Sequence, residues 1–519
     1  MASRMTVQQL LDEFNSAANN ADAPSMLNMA QQLLVRDPNN ADFMLLVLQA
    51  LESAEQLAAN LGFIQKYILA RSTNVSGFIL LYQSYIKQKK ILEASLALTY
   101  ALSVEPDNLE CQNLLLRLLS DVRPGLTHVR LNIMTTSRVG HLACEIEPWA
   151  RATDDRENDC LYIFVSSSST VPANTYLYQL LHQVAHIVES DFFYQLYVSR
   201  PLLLSDDSYA EYPYDLSSSL RGVSNQEIAK KGNAKLTEIY RDYPPCLAIS
   251  ANDKKRGWEH LDAFDITTND KLVCLHVRDS AYLNSKFPDR DWSHHDYRDA
   301  DITTYKESIE YLIQHGYKVI RIGAETNQKL DLVSPNYFDF CIGRKYTDGD
   351  FIELFLLSEC SFFIGNYGGP YGVAAVFDTP TIAVNAVPAV IPYLKNGHYI
   401  PKLLLKNNEL VSFIDIANGE NISDEKSIPI ISCLSEKDLS THGFKYVDNS
   451  STDILRAVSE FEKRISSGIF DGTLTNEQIT FRDSVPSDFC APDSTNLICS
   501  SFIEDHPDAF YGMKVVGRN

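Results

Sequence analysis

KLVCLHVRDSAYL (271–283), TYKESIEYLIQHGYKVIRIG (304–323) and DFIELFLLSECSFFIGNYGGPYGVAAVFDTPTIAVN (350–385) are the stretches whose pattern sets the fold. Val273–Val277 is a short β-branched apolar run, as a strand covered on both faces requires. Polarity then changes abruptly at Arg278, Asp279 and Ser280. Thr304–Glu307 reads as a capping box opening a helix. Tyr305, Ile309, Leu312 and Ile313 share one face of that helix, and Gly316 stops it. Tyr317–Ile322 reads as a strand, Asp350–Ser358 as a helix and Ser361–Ile364 as a strand. A turn-rich loop, Gly365–Pro370, leads to a short helix and the strand Thr381–Asn385. Strands alternating with helices of about ten residues predict a parallel, doubly wound sheet.

Such sheets bind ligands outside the carboxyl ends of their strands. The residues falling there are His276, Arg278 and Asp279, then Arg321 and Gly323, then Gly365, Asn366, Gly368 and Gly369. An arginine fork matches phosphate oxygens. Glycines let backbone N–H groups approach an anion, and a helix N-terminus favours negative charge. The pattern predicts a pocket for a phosphate-bearing nucleotide.

The segments HVRDSAY (276–282), HDYRDADITTY (295–305), VIRIG (319–323) and DFIELFLLSECSFFIG (350–365) resemble, in order, the motifs of a family of bacterial glycosyltransferases of the two-lobed GT-B type. The first and last also look distantly like the H-x-R and strand–glycine motifs of fucosyltransferases. The likeness covers about residues 125–395. Where the family reads Y-R-N-A, this chain has Tyr297-Arg298-Asp299-Ala300. Ser137–Leu142 is similar to the family's R-x-G-H-L and supplies Arg138, Gly140 and His141. The resemblance implies transfer of a sugar from a nucleotide-activated donor to a hydroxyl of a glycan or protein, with inversion. No cofactor is expected, because positive side chains and helix dipoles can stabilise a leaving diphosphate without metal.

Each candidate has a plainer alternative. Arg138, Gly140, Arg278, Tyr297, Arg298 and Arg321 are expected to line the donor site; Arg278 could instead pair with Asp279 or Asp301. His276 is a donor contact or a hydrogen-bonded core histidine. Tyr282 could stack on a base or sugar. Asp350 and Glu353 could hold ribose hydroxyls or complement a helix dipole. His141 is the expected base for the acceptor hydroxyl, with Asp279 or Glu145 as the alternatives. His294, His295 and Asp296 invite a metal, but adjacent histidines are expected to point apart and no third ligand is suggested.

The fold class expected is α/β GT-B, two Rossmann-like lobes, behind an N-terminal all-α TPR-like repeat domain. Residues 1–122 carry related turns at Asn40, Asn74 and Asn108, spaced 34 apart (74−40 and 108−74), the period of tetratricopeptide repeats. They offer a surface for a protein acceptor, a partner or self-association. Residues 123–262 form the first lobe, with strands Val129–Met134 and Cys160–Val165. Its helices are one running to about Arg151, one after Asn174 and one over Gln226–Tyr240. Ala251–Arg256 reads as a polar surface segment. Residues 263–400 form the nucleotide-sugar lobe. Residues 401–519 are an extension whose helix, Ile454–Ile465, is expected to return to the first lobe.

The length of 519 residues suits three or four domains, and the formal charge of −22 disfavours a nucleic-acid binder. The ten cysteines form no C-x-x-C pair, which suits a reducing, cytoplasmic setting without structural zinc. The start, MASRMTVQQLLDEF, lacks a signal peptide's apolar core, and no apolar run reaches the roughly 18 residues of a span. A cytoplasmic protein, or one peripheral at the inner membrane, is expected. Two rivals remain: a repeat scaffold carrying a catalytically dead module, and a sugar-nucleotide epimerase.

Overall fold

The structure, a computed structural model, describes residues 5–71, 73–152, 160–199, 239–342, 348–387, 395–418, 436–468, 473–485 and 496–511. Most of the helix expected over 226–240 lies outside them. Seven helices lead: α1 (Val7–Asn19), α2 (Ala23–Arg36), α3 (Ala41–Ser53), α4 (Leu61–Ala70), α5 (Val75–Lys87), α6 (Ile91–Val104) and α7 (Leu109–Val122). The 34-residue period is a period of helix caps. Asn40 accepts from the N–H groups of Asp42 and Phe43 at 3.1 Å, Asn74 from Ser76 at 2.9 Å and Asn108 from Cys111 at 3.0 Å. Each asparagine thereby satisfies a donor that the first helical turn leaves unpaired.

Strands β1 (His128–Ile133), β2 (Cys160–Ser166) and β3 (His186–Glu189) form a parallel sheet in that order. Between them lie α8 (Val139–Ala152) and α9 (Thr175–Leu181), and α10 (Asp191–Ser199) follows. The sheet shares one hydrophobic core with the repeats, because a small parallel sheet cannot cover both its faces alone. Leu131, Ile163, Val165 and Val188 join that core. Phe78, Tyr100 and Phe193 stack through it at 6.0 and 5.9 Å. The repeats and the sheet therefore fall in one compact unit, without a break at residue 122. The lobe expected over 123–262 is divided: α8 and α9 belong to a second unit, which spans 134–153, 171–184 and 212–519.

That unit is built on a seven-stranded parallel sheet of order β13-β9-β8-β7-β4-β5-β6. Its strands are β4 (Lys271–His276), β5 (Tyr317–Arg321), β6 (Tyr337–Asp339), β7 (Phe362–Gly365), β8 (Thr381–Ala386), β9 (His398–Pro401) and β13 (Leu497–Ile498). Besides α8 and α9, its described α-helices are α11 (Ala251–Asp262), α12 (Ala281–Lys286), α13 (Lys306–Gln314), α14 (Gly349–Glu359), α15 (Gly369–Val376), α16 (Phe413–Asn418), α17 (Glu436–Thr441), α18 (Ser451–Ser467), α19 (Asn476–Ser484), α20 (Ser500–Asp505) and α21 (Pro507–Tyr511). A small antiparallel sheet joins β10 (Leu403–Lys406) with β11 (Glu409–Val411) and β12 (Phe444–Val447). The class is as the sequence predicts: helical repeats followed by α/β elements on parallel sheets.

Several local expectations change. The capping box at Thr304 does not form. The helix is entered through a 3₁₀ turn, Ile302–Tyr305, capped by Asp301 accepting from Thr303 N–H at 2.8 Å, and Thr304 donates back to the Asp301 carbonyl at 2.7 Å. The polar segment at 251–256 is the start of α11, whose Trp258 meets Phe355 edge-on at 5.4 Å. Among the described residues, helix α18 packs chiefly elsewhere than on the first lobe. It packs on α13, β8 and β9, and its Glu462 accepts from the hydroxyls of Tyr311 at 3.3 Å and Tyr317 at 3.1 Å. The chain beyond 400 is not an appendage, since β9 straddles that boundary and β13 pairs beside it. No described helix is long and apolar enough to cross a membrane.

Candidate active site

Strand order reverses between β4 and β7, so the crevice beyond their carboxyl ends is where a doubly wound sheet binds ligands. His276 stands opposite Gly365 there. Its imidazole lies between Gly323 and Gly368: a Cβ on the first would approach it to 3.2 Å, on the second to 3.1 Å. Gly323 also has φ +137°, which favours glycine. Burial, then the charges of Arg321 and Arg278, push the His276 pKa down to about 3, so the ring is neutral. Gly365 is required by packing, because a Cβ would meet the Phe363 ring at 2.5 Å.

Asn366 is fully buried and its side chain faces protein rather than the crevice. It accepts from Arg278 N–H at 2.9 Å and donates to the Arg298 carbonyl at 2.7 Å. Expected as a phosphate contact, it instead ties together the two segments that carry the site's arginines. Gly368 caps α15, and Gly369 begins it. A Cβ on Gly140 would lie 3.2 Å from the Gly369 Cα, and one on Gly369 would collide with Val139. The starts of α8 and α15 are thereby in backbone contact, which concentrates two positive helix ends.

Four arginines lie within electrostatic reach of one another here: Arg298 acts on both Arg278 and Arg138, and Arg290 on Arg138. Arg278 is 9% exposed, donates to the His295 carbonyl at 3.1 Å and pairs with Asp299. Burial, then the charge of Arg298, pull it down to about 10. The Arg138 guanidinium lies 4.5 Å above the Trp292 ring. Burial lowers its pKa, and Arg298 and Arg290 lower it further. Among the described residues no carboxylate pairs with Arg138 or Arg298. Tyr282 is half-buried and close enough to Arg138 to act on its charge. Tyr297 is buried against Tyr446 at 6.2 Å.

His294 and His295 do not point apart. The 3₁₀ turn Ser293–Arg298 gathers both rings beside Trp292, 4.0 Å from each other. Burial and Arg298 push His295 down to about 3. Among the described residues no three His, Cys, Asp or Glu side chains come together as a metal-ligand set.

Other candidates serve the scaffold. Arg321 is 1% exposed and donates to the Gln328 carbonyl at 2.7 Å, Thr326 at 2.9 Å and Asp339 at 3.2 Å. Asp279 accepts from Ala281 N–H at 2.9 Å, Thr326 at 2.6 Å and Asn327 N–H at 2.8 Å. Three donors already engage that carboxylate. Asp350 accepts from Thr175 N–H at 2.8 Å and its hydroxyl at 2.9 Å, so it holds the start of α9 rather than a ribose. Glu353 is half-buried on α14, within electrostatic reach of Cys341. His141 is exposed on the first turn of α8. The Glu145 side chain lies outside the described residues.

A cleft of about 670 Å³ opens on the β5–β6 side of the crevice, walled by Ala281, Asn284, Ser285, 325–329, Cys341 and Ile342. No sequence motif marks 325–329; the signal there is a polar run just after a strand-end glycine. Arg290 and Trp292 carry a signal of their own, an Arg-x-Trp just before the paired histidines 294 and 295.

No protein-family model matches the chain, and no curated protein matches it. Among solved structures, a glycosyl transferase of family 9 from Veillonella parvula is similar at 12% identity, over 53% of this chain and 85% of that one, with a TM-score of 0.33. The Escherichia coli ADP-heptose lipopolysaccharide heptosyltransferase II is similar at 14% identity, over 54% and 92%, with a TM-score of 0.32. The first TPR of Spaghetti (RPAP3), bound to an HSP90 peptide, is similar at 15% identity, over 22% and 94%, with a TM-score of 0.21.

Proposed function

We propose that the protein is a GT-B glycosyltransferase that moves a sugar from a nucleoside-diphosphate donor to a hydroxyl of a glycan or protein. The observation that carries this reading is the meeting of Arg138, Arg290 and Arg298 with two helix starts at the strand-order reversal. Arg298 and Arg290 act against the charge of Arg138. Without an anion that repulsion is unfavourable; a diphosphate relieves it. The acceptor oxygen attacks the sugar's anomeric carbon, the bond to the phosphate oxygen breaks, and the nucleoside diphosphate leaves with the electron pair. Arg138, Arg298 and the N–H groups opening α15 stabilise the charge that develops on it. His141 takes the hydroxyl proton. The 670 Å³ cleft beside the crevice has room for a nucleoside. The repeats present a protein acceptor or partner, in a cytoplasmic setting.

A second reading, a repeat scaffold with an inactive module, is favoured by one feature: Asp299 already sits against Arg278. Incubation with UDP-, GDP-, ADP-, CDP- and dTDP-sugars separates the two. Release of free nucleoside diphosphate supports transfer and argues against an epimerase. If no donor is hydrolysed and none raises the melting temperature, the catalytic reading fails and the scaffold stands.

A further inference from the structure

Helices α8 and α15 are fastened at both ends, and the fastening far from the crevice is a buried charge cluster that donor chemistry does not use. At the crevice end they meet through Gly140, Gly369 and Gly372; a Cβ on Gly372 would approach the Cys144 sulfur to 2.6 Å. At the other end Arg151, its side chain wholly buried, reaches from α8 to the end of α15. Its Nη2 donates to the carbonyls of Val376 at 3.1 Å and Ala375 at 3.4 Å, its Nη1 to Asp378 at 2.6 Å, and its Nε to Glu147 at 2.9 Å. The Tyr240 ring covers the guanidinium at 4.6 Å.

A guanidinium there satisfies the Val376 carbonyl, which has no backbone partner among the described residues, and adds to the Asp378 N–H already on the Ala375 carbonyl. Its planar fork fixes an angle as well as a distance, which a flexible ammonium would not. Val139 against Gly369 and Cys144 against Gly372 set how closely the helices approach at that end. The Arg151 end adds a directional restraint on the angle between them. We infer that Arg151, held by Glu147 and Asp378, is a positioning residue: from about 16 Å along α8, at ~1.5 Å per residue, it sets how the starts of α8 and α15 meet, and so the geometry of the diphosphate site. The inference rests on the glycosyltransferase reading of that site.

The full-length protein and its Arg151→Lys, Arg151→Ala and Asp378→Gly variants test it. Asp378 has φ +52°, so glycine is accommodated there and this variant is expected to fold even if Arg151→Ala does not. Binding of UDP, GDP, ADP, CDP and dTDP is measured by calorimetry, and the rate of alkylation of Cys144 by mass spectrometry. Positioning predicts that Arg151→Ala and Asp378→Gly weaken nucleoside-diphosphate binding by roughly tenfold or more and speed labelling of Cys144, while Arg151→Lys recovers part of both. Faster labelling with unchanged binding shows that the cluster only holds the helices together and overturns the inference. Unchanged labelling and binding overturn it as well. If the wild type binds none of the five nucleotides, the functional reading fails and the positioning role falls with it; if only the variants' loss is missing, the positioning role alone fails.

Discussion

Gly140 and Gly369 lie so close across the starts of two helices that a methyl group on Gly140 would sit 3.2 Å from the Gly369 Cα. A methyl on Gly369 has less room still, because Val139 occupies the place. Gly369→Ala is therefore expected to destabilise the protein by about 1–3 kcal/mol and to weaken nucleoside-diphosphate binding by pushing the helix starts apart. Thermal melts and calorimetry on the same sample check both effects; full affinity at lowered stability would show that the close approach matters to packing alone.

Asn366→Ala leaves the Arg278 amide and the Arg298 carbonyl without their partner inside the protein. Each buried group left unsatisfied costs about 1–3 kcal/mol. Asn366→Asp keeps the acceptor for Arg278 N–H but cannot donate to Arg298, so it should fall between alanine and wild type in urea melts. Equal stability of all three would contradict the assignment of Asn366 as the tie between the two segments.

Asp299→Asn removes the carboxylate from Arg278 and restores the Y-R-N-A pattern. The pair is partly shielded, with side chains 10% and 24% exposed. Freed from it, Arg278 is available to phosphate. Binding of UDP or another nucleoside diphosphate should tighten by up to about fivefold, for a pair worth ~1 kcal/mol. Weaker binding in the variant would mean that Asp299 orients Arg278 rather than competing for it.

Glu147 gives a signed pH effect. Burial pushes its carboxyl up to about 7 against the pull of Arg151, since one of its oxygens, Oε2, has no partner. Burial lowers Arg151 most, yet Glu147 and Asp378 together outweigh it and hold that guanidinium above its usual value. Between the ordinary carboxyl value of about 4.3 and about 7, the folded protein keeps a proton on Glu147 that the unfolded chain releases. The stability this contributes is full below that window and is lost as pH rises through it. Glu147→Gln removes the loss, so the difference between variant and wild type should move towards the variant by on the order of 3 kcal/mol from pH 5 to 8. Buried His276 and His398, both pushed down to about 3, act in the opposite direction, but alike in both proteins, so they cancel in that difference.

Local periodicity made much of this fold legible. The β-branched runs at 271–276, 317–321 and 362–365 announced their strands, and the asparagines 34 apart announced their caps. The placing of His276, Arg278 and Gly365–Gly369 at the strand ends followed from the alternation of elements. The carboxylates misled because their partners are remote in sequence: Asp279 is engaged by Thr326 and Asn327, and Asp350 by Thr175. An acidic residue awaiting a ribose and one tied to a distant loop read alike. Helix α18 was legible as amphipathic, but an apolar face does not say which surface it covers. The failed capping box had a local cause, since Asp301 captures the turn one step earlier.

The most direct test is calorimetric titration of the wild type and of Arg138→Ala and Arg298→Ala with UDP, GDP, ADP, CDP and dTDP at two salt concentrations. Binding of at least one by the wild type is predicted, weaker at higher salt as screening requires, and reduced tenfold or more, about 1.4 kcal/mol, in each variant. Binding that is indifferent to both arginines, or no binding of any of the five, would contradict a diphosphate site at this crevice.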